Sequence, residues 1–132
     1  MTIVVGFIPT DEGRAALARG IEEARLRQAK LVVVHSTKGG PAFGPDEAMT
    51  TRIELDRVRH ELADAGIDYE VRDLVVGNDA TDDLASVIKE TGAELLVIGL
   101  RRRSPVGKFV MGSNAQRILL DIDCPILAVK AD

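Results

Sequence analysis

Residues 97 to 117 read VIGLRRRSPVGKFVMGSNAQR. An apolar run ends near Gly99, four cations follow (Arg101, Arg102, Arg103 and Lys108), and Gly112-Ser113-Asn114 opens a helical pattern. The chemistry these types and spacings point to is anion capture. Free backbone N–H groups and a hydroxyl at a helix start hold phosphate or carboxylate. Each guanidinium adds a planar fork of donors. Three consecutive arginines point in different directions, so one or two can converge on a single ligand. A hydrogen bond to a charged group nets roughly 1.5–3 kcal/mol, so one such arginine offsets a lost backbone contact. Ser113 and Gln116 also spell S-x-x-Q, the pattern of a reciprocal helix cap. On local sequence alone the cap is the simpler reading, and a cap and an anion site can coexist.

The first turn, Phe7-Ile8-Pro9-Thr10-Asp11-Glu12, has the opposite character. Thr10 suits an N-cap, and Asp11 and Glu12 suit the positive end of a helix dipole. They oppose phosphate there, so a nucleotide would lay its sugar or base near this turn. Gly107-Lys108 does not complete a Walker A loop: Gly99 is too far upstream and Phe109 stands where Ser or Thr belongs. No G-x-G-x-x-G follows the first apolar run. His35 reads as a structural histidine, His60 as solvated, Cys124 as a buried inert thiol. Asp82 and Asp83 fit the first turn of a helix, where capping explains them. No nucleophile–base pair and no metal-ligand cluster is apparent. The expected chain is not an enzyme, with weak ATP hydrolysis as the most it would do.

Composition narrows the partners. The chain has 132 residues with a formal charge of −4, 3% aromatics and no Trp. Neither nucleic acid nor an acidic membrane is favoured by that field, and a base-stacking surface lacks its residues. The single cysteine excludes an internal disulfide and a zinc cluster. The N-terminal MTIVVGFIP has no basic leader, and no apolar run reaches bilayer length, so a cytoplasmic location is expected.

Five β-branched apolar runs are predicted as strands: Thr2 to Ile8, Lys30 to Ser36, Tyr69 to Val76, Glu94 to Leu100 and Pro125 to Lys130. Four are near-continuous hydrophobics, as in a parallel sheet covered on both faces. The third alternates, which places it near an edge. Helical periodicity fills Asp11 to Gln28, Asp46 to Ala65, Asp79 to Thr91 and Ser113 to Leu120, with Gly66 and Gly92 as C-caps. The last helix is expected to bury Ala115, Ile118 and Leu119. Gly20 within the first helix suggests close packing on the sheet. The alternation predicts one α/β domain over residues 1–132, an open doubly wound five-stranded parallel sheet of Rossmann-like type. Ligands in such sheets bind outside the carboxyl ends of the strands.

The stretch VIGLRRRSPVGKFVMGSNAQRILLDIDCPILAVK resembles the C-terminal signature of the universal stress protein family. The family's ATP-binding members show G-x2-G-x9-G-[ST], then a helix and a strand beginning C-P or a similar pair. Gly99, Gly112 and Ser113 fit this pattern, and Arg102 stands at its second glycine. The likeness extends along the whole chain, through the alanine-rich first helix and the second strand ending in histidine. It implies strand order 3-2-1-4-5, a homodimer paired through the last strand (residues 125–130), and ATP or AMP between the ends of the first and fourth strands. Magnesium would enter only through bound phosphates. By this correspondence Gly6, Phe7, Ile8 and Thr10 border the ligand from the first strand. Ser36 lies beside the base, and Ile98 and Gly99 border it from the fourth strand. Gly112, Ser113 and Asn114 face the phosphates; Arg102 either blocks the close backbone approach a glycine there allows or itself reaches a phosphate. Family members that bind ATP carry aspartate where this chain has Ile8, and Asp11 replaces it only if the turn is reshaped.

Two functions follow from these residues. One is a stress-response regulator that binds an adenine nucleotide. The other is a dimeric interaction module of the same fold, whose basic 101–108 loop contacts a protein partner or another anion. A phosphoacceptor receiver would need an acidic pair after the first strand, which Ile8-Pro9-Thr10 does not supply.

Overall fold

The computed structural model describes residues 1–36, 44–74, 79–101 and 113–131, with 113 and 114 described for their backbone alone. In chain order the elements are β1 (Thr2–Gly6), α1 (Asp11–Arg27), β2 (Lys30–Ser36), α2 (Pro45–Ala65), β3 (Tyr69–Leu74), α3 (Ala80–Thr91), β4 (Leu95–Leu100), α4 (Ser113–Asp121) and β5 (Ile126–Lys130). The strands form one sheet in the order β3-β2-β1-β4-β5, and every pairing is parallel. This is the order the sequence resemblance implied.

The continuous apolar strands explain the layering. Alternate side chains of one strand point to opposite faces of the sheet. Ile3, Val5, Leu31, Val33, Leu95 and Val97 pack on one face with Ala16, Leu17 and Ile21 of α1 and Leu55, Val58 and Leu62 of α2. Val4, Val32, Val34, Leu96 and Ile98 pack on the other with Leu84 and Val87 of α3 and Ile118 of α4. Both faces therefore need apolar residues, and the two-residue alternation disappears from the central strands. β3 has one sheet neighbour and its residues are half-buried or exposed, as its alternation suggested.

α1 is pressed onto the sheet. A Cβ added at Gly20 would lie 2.4 Å from Val5 Cγ2, which is the close approach its glycine predicted. The helix starts at Thr10, whose Oγ1 accepts from the Gly13 N–H at 3.2 Å. It ends at Gln28, in the left-handed region at φ 53°.

Two sequence expectations need correction. β1 ends at Gly6, short of Ile8. Phe7 still donates to the Val34 carbonyl at 2.9 Å, but the Ile8 carbonyl accepts from Thr10 N at 2.8 Å, closing a tight turn at Pro9. On α4, Leu119 is 38% exposed, and Ile122 just beyond the helix fills the core position instead at 8%. The short helix buries a narrow stripe, so one apolar residue of the pair is left outside it.

Candidate functional site

The chain winds from β1 through β2 to β3, returns to β4 beside β1, and continues to β5. The winding direction thus reverses between β1 and β4, where a crevice is expected. A cavity of about 330 Å³ opens at that point, a size within the range of small-ligand clefts. Gly6, Phe7 and Ile8 follow β1 into its wall, Val34 and Ser36 come from β2, and Ile98, Gly99, Leu100 and Arg101 come from β4.

Three helices also present their N-terminal turns to this cavity. α1 contributes Thr10, Glu12 and Gly13, α3 contributes Ala80, and α4 contributes Ala115. Each such end carries partial positive charge. They differ in what already neutralises it. α1 has Asp11 and Glu12 in its first turn. α3 has Asp82 and Asp83, and the Asp79 carboxylate accepts from Thr81 N at 2.8 Å. α4 has no acidic residue in its first turn. The α4 end is therefore the one whose field is left for an anionic ligand.

The opposite wall is built by close backbone contact. A Cβ added at Gly99 would lie 2.0 Å from the Glu12 carbonyl oxygen, and one added at Gly13 would lie 1.8 Å from the Ile8 carbonyl oxygen. Gly99 is thus required by the seating of α1 on β4, a reason that does not need a ligand. Gly6 differs: its nearest neighbours would be Leu84 and Ile98 side chains at 3.5–3.7 Å, ordinary contact.

That seating decides which acid faces inward. Asp11, the residue the sequence offered as a stand-in for a first-strand aspartate, has its side chain 92% exposed and does not line the cavity. Glu12 lines it with a side chain 10% accessible, its Oε2 3.9 Å from Arg101 Nε. Sequence reasoning had placed Glu12 with Asp11 at the positive end of the helix dipole. The periodicity of α1 could have separated them, because Glu12 lies four residues before Ala16 on the buried stripe.

Asp83 lies in the first turn of α3 as expected, but with a partner the sequence did not suggest. It is 5% exposed and accepts a short hydrogen bond from the Ser36 hydroxyl. The pair ties the end of β2 to the start of α3 on the cavity's edge. Ser36 therefore reaches the cavity with its hydroxyl proton already committed. His35 is buried and lies 3.0 Å from an Asp73 oxygen through Nδ1, in keeping with a structural role. Cys124, expected to be buried, is half-buried at the edge of the core, and that burial pushes its thiol above the ordinary value. Arg117 joins α4 to the start of α3 through Asp79 at 2.7 Å.

Of the sequence-named site residues, Gly6, Phe7, Ile8, Thr10, Ser36, Ile98 and Gly99 line the cavity. Ile8 is half in solvent at 47% and stands at the mouth. The expectations for Arg102 and Gly112 lie outside the described residues. Ser113 and Asn114 begin α4, and their predicted contacts and the Ser113–Gln116 cap likewise fall outside what is described. Arg101, named in the sequence among the anion-capturing cations, also lines it, whereas sequence reasoning missed Glu12, Gly13, Val34, Ala80, Leu84, Leu100, Ala115 and Ile118 as lining residues. Among the described residues no helix is long and apolar enough to cross a membrane, and no group of three or more His, Cys, Asp or Glu is placed to hold a metal ion.

An open parallel sheet with a cleft at its winding switch and an uncompensated helix end defines a Rossmann-like α/β domain with a candidate ligand cleft. The chain belongs to the universal stress protein family, whose model matches residues 1–130. It is 44% identical over 128 residues to a universal stress protein of Mycolicibacterium smegmatis, covering 97% of this chain and 96% of that one. A universal stress protein structure from Archaeoglobus fulgidus superposes with a TM-score of 0.85 at 33% identity, covering 98% of both chains. A further structure, the universal stress protein from Archaeoglobus fulgidus in complex with dAMP, superposes with a TM-score of 0.78 at 28% identity, again over 98% of both chains.

Proposed function

We propose that this universal stress protein is a cytoplasmic, non-enzymatic regulator that binds an adenine nucleotide in the cleft between β1 and β4. The carrying observation is the α4 N-terminus, which borders the cavity with no acid in its first turn, while both other helix ends there are already neutralised. Phosphate is favoured at α4 and opposed at α1, so the ligand has one polarity. Its phosphates lie toward the start of α4, where the family correspondence puts Ser113 and Asn114. Its base lies against Phe7, Val34 and Leu84, on the apolar side of the cavity. The complex of a relative with dAMP supports an adenine ligand of this kind. ATP and AMP both fit the reading, with magnesium carried only by the phosphates.

The same chain is proposed to form a homodimer through β5. That strand is the last of the sheet, and an uncovered edge invites pairing with a second copy. A module that pairs this way and uses its basic loop for a protein partner is the second reading.

Titration calorimetry and melting with ATP, ADP, AMP and cyclic AMP, with and without magnesium, separate the two. A bound nucleotide at a hundred times its dissociation constant stabilises the fold by about 2.7 kcal/mol. Absence of heat and of any melting shift with all four ligands refutes the nucleotide reading. Arg102→Gly adds the sign of that residue: lost affinity makes the arginine a ligand, gained affinity makes it an obstruction.

A further inference from the structure

We infer that Glu12 reads the sugar of the bound nucleotide, its carboxylate accepting hydrogen bonds from the ribose hydroxyls. This rests on the nucleotide reading above and adds a specificity residue to it.

A carboxylate withdrawn from water needs donors or a close counter-charge. The Glu12 side chain is 10% accessible, and its nearest cation, Arg101 Nε, is 3.9 Å away, beyond hydrogen-bond length. The described residues give its carboxylate no hydrogen-bond donor. Glu12 lines the cavity, and its carboxylate oxygens are not among the fully buried, unpartnered side-chain atoms, so they are open to a donor from that side.

The position is also rigid. The Glu12 backbone is held against Gly99, and the adjoining Gly13 against Ile8. A side chain on so constrained a turn is suited to reading a ligand, because little freedom is lost when it binds. Asp11, one residue earlier and 92% exposed, has neither the burial nor the aim.

An ionised carboxylate accepts and does not donate. It repels phosphate, which α4 draws to its own end. The apolar walls from Val34 and Leu84 suit the base. Neutral donors remain, and a vicinal diol matches the two carboxylate oxygens. Arg101 stands on the solvent side, 65% accessible. At 3.9 Å it makes no hydrogen bond to Glu12, so a ribose hydroxyl approaching the carboxylate has none to displace.

The test compares AMP with 2′,3′-dideoxy-AMP on wild type, Glu12→Gln and Glu12→Ala, by calorimetry. The affinity ratio within one variant cancels any loss of folded protein, and melting without ligand checks each fold. Wild type is expected to prefer AMP by about tenfold or more. Glu12→Ala is expected to bind both ligands equally, and Glu12→Gln to retain part of the preference. An unchanged ratio in Glu12→Ala, or no preference in wild type, overturns the inference while leaving nucleotide binding intact. Inosine monophosphate is a further arm: if Glu12→Ala removes discrimination against it and spares the AMP ratio, the carboxylate reads the base amine and the ribose assignment fails. No binding of AMP by wild type defeats this inference and the nucleotide reading together.

Discussion

The α-carbon of Gly99 faces the carbonyl oxygen of Glu12 so closely that a Cβ at residue 99 would lie 2.0 Å from it. This contact seats the first turn of α1 on the end of β4. There Glu12 lines the cleft with a side chain 10% accessible, whereas Asp11 is left in solvent. A glycine that in sequence looks like part of a phosphate loop is thus a packing residue that shapes the opposite wall.

Gly99→Ala is expected to destabilise the fold by about 1–3 kcal/mol, because the added methyl meets backbone that must move. Gly6→Ala is the control. Its Cβ would find Leu84 and Ile98 side chains at 3.5–3.7 Å, and a change below about 1 kcal/mol is expected on relief of glycine's chain entropy. Urea unfolding of both variants measures the difference. Equal stability of the two would show that α1 is not seated by this contact.

The Ser36–Asp83 pair should behave as one unit. Ser36→Ala leaves a carboxylate that is 5% exposed without its hydroxyl donor, at a cost of about 1–3 kcal/mol. Ser36→Ala with Asp83→Ala together should cost less than the sum of the two single changes, by about 0.5 kcal/mol or more. Strict additivity in a double-mutant cycle would mean that the two side chains do not interact in solution.

The edge of the sheet carries a pH-dependent contribution. Hydrogen bonding to Arg72 holds the Glu70 carboxyl below its ordinary value, and Lys30 lowers it further. The folded value lies below the unfolded one, so this stability is present above the usual carboxylate range and is lost as pH falls through the folded value. Glu70 is 36% accessible, so screening limits the contribution to about 1 kcal/mol at most. Glu70→Gln should therefore melt below wild type at pH 7 and close to it at pH 3, two conditions chosen on either side of the carboxylate range (ordinarily about 4.3). A gap that widens on acidification would reverse the assigned sign.

Pairing through β5 is read by sedimentation at micromolar concentration, where the wild-type chain is expected as a dimer. Ala128, an exposed residue of β5, offers the variant: Ala128→Arg places like charges across a paired edge and should shift the chain to monomer with its fold retained. A wild-type monomer under these conditions ends the dimer proposal.

The strands and crossover helices were legible in the sequence because they follow from local facts, whereas their order in the sheet came from the family resemblance. Continuous apolar runs at Ile3–Val5, Leu31–Val34 and Leu95–Ile98 fit strands covered twice, and the amphipathic segments between them fit crossover helices. Seven of the named site residues lie in the cleft because strand ends and the residues just after them converge there in this topology. What lay beyond reach was direction. Asp11 and Glu12 are chemically alike neighbours; helical periodicity puts Glu12 on the buried stripe of α1, but that it lines the cleft followed from Gly13 and Gly99 meeting backbone across the fold. Likewise Asp83 reads as a helix-capping acid until β2 brings Ser36 to it from 47 residues away. Sequence alone determined the elements and the end of the sheet where a ligand would sit, since periodicity and chain winding are set by local apolar pattern. Tertiary structure decided which side chains face that ligand, since facing depends on contacts between segments far apart in the chain.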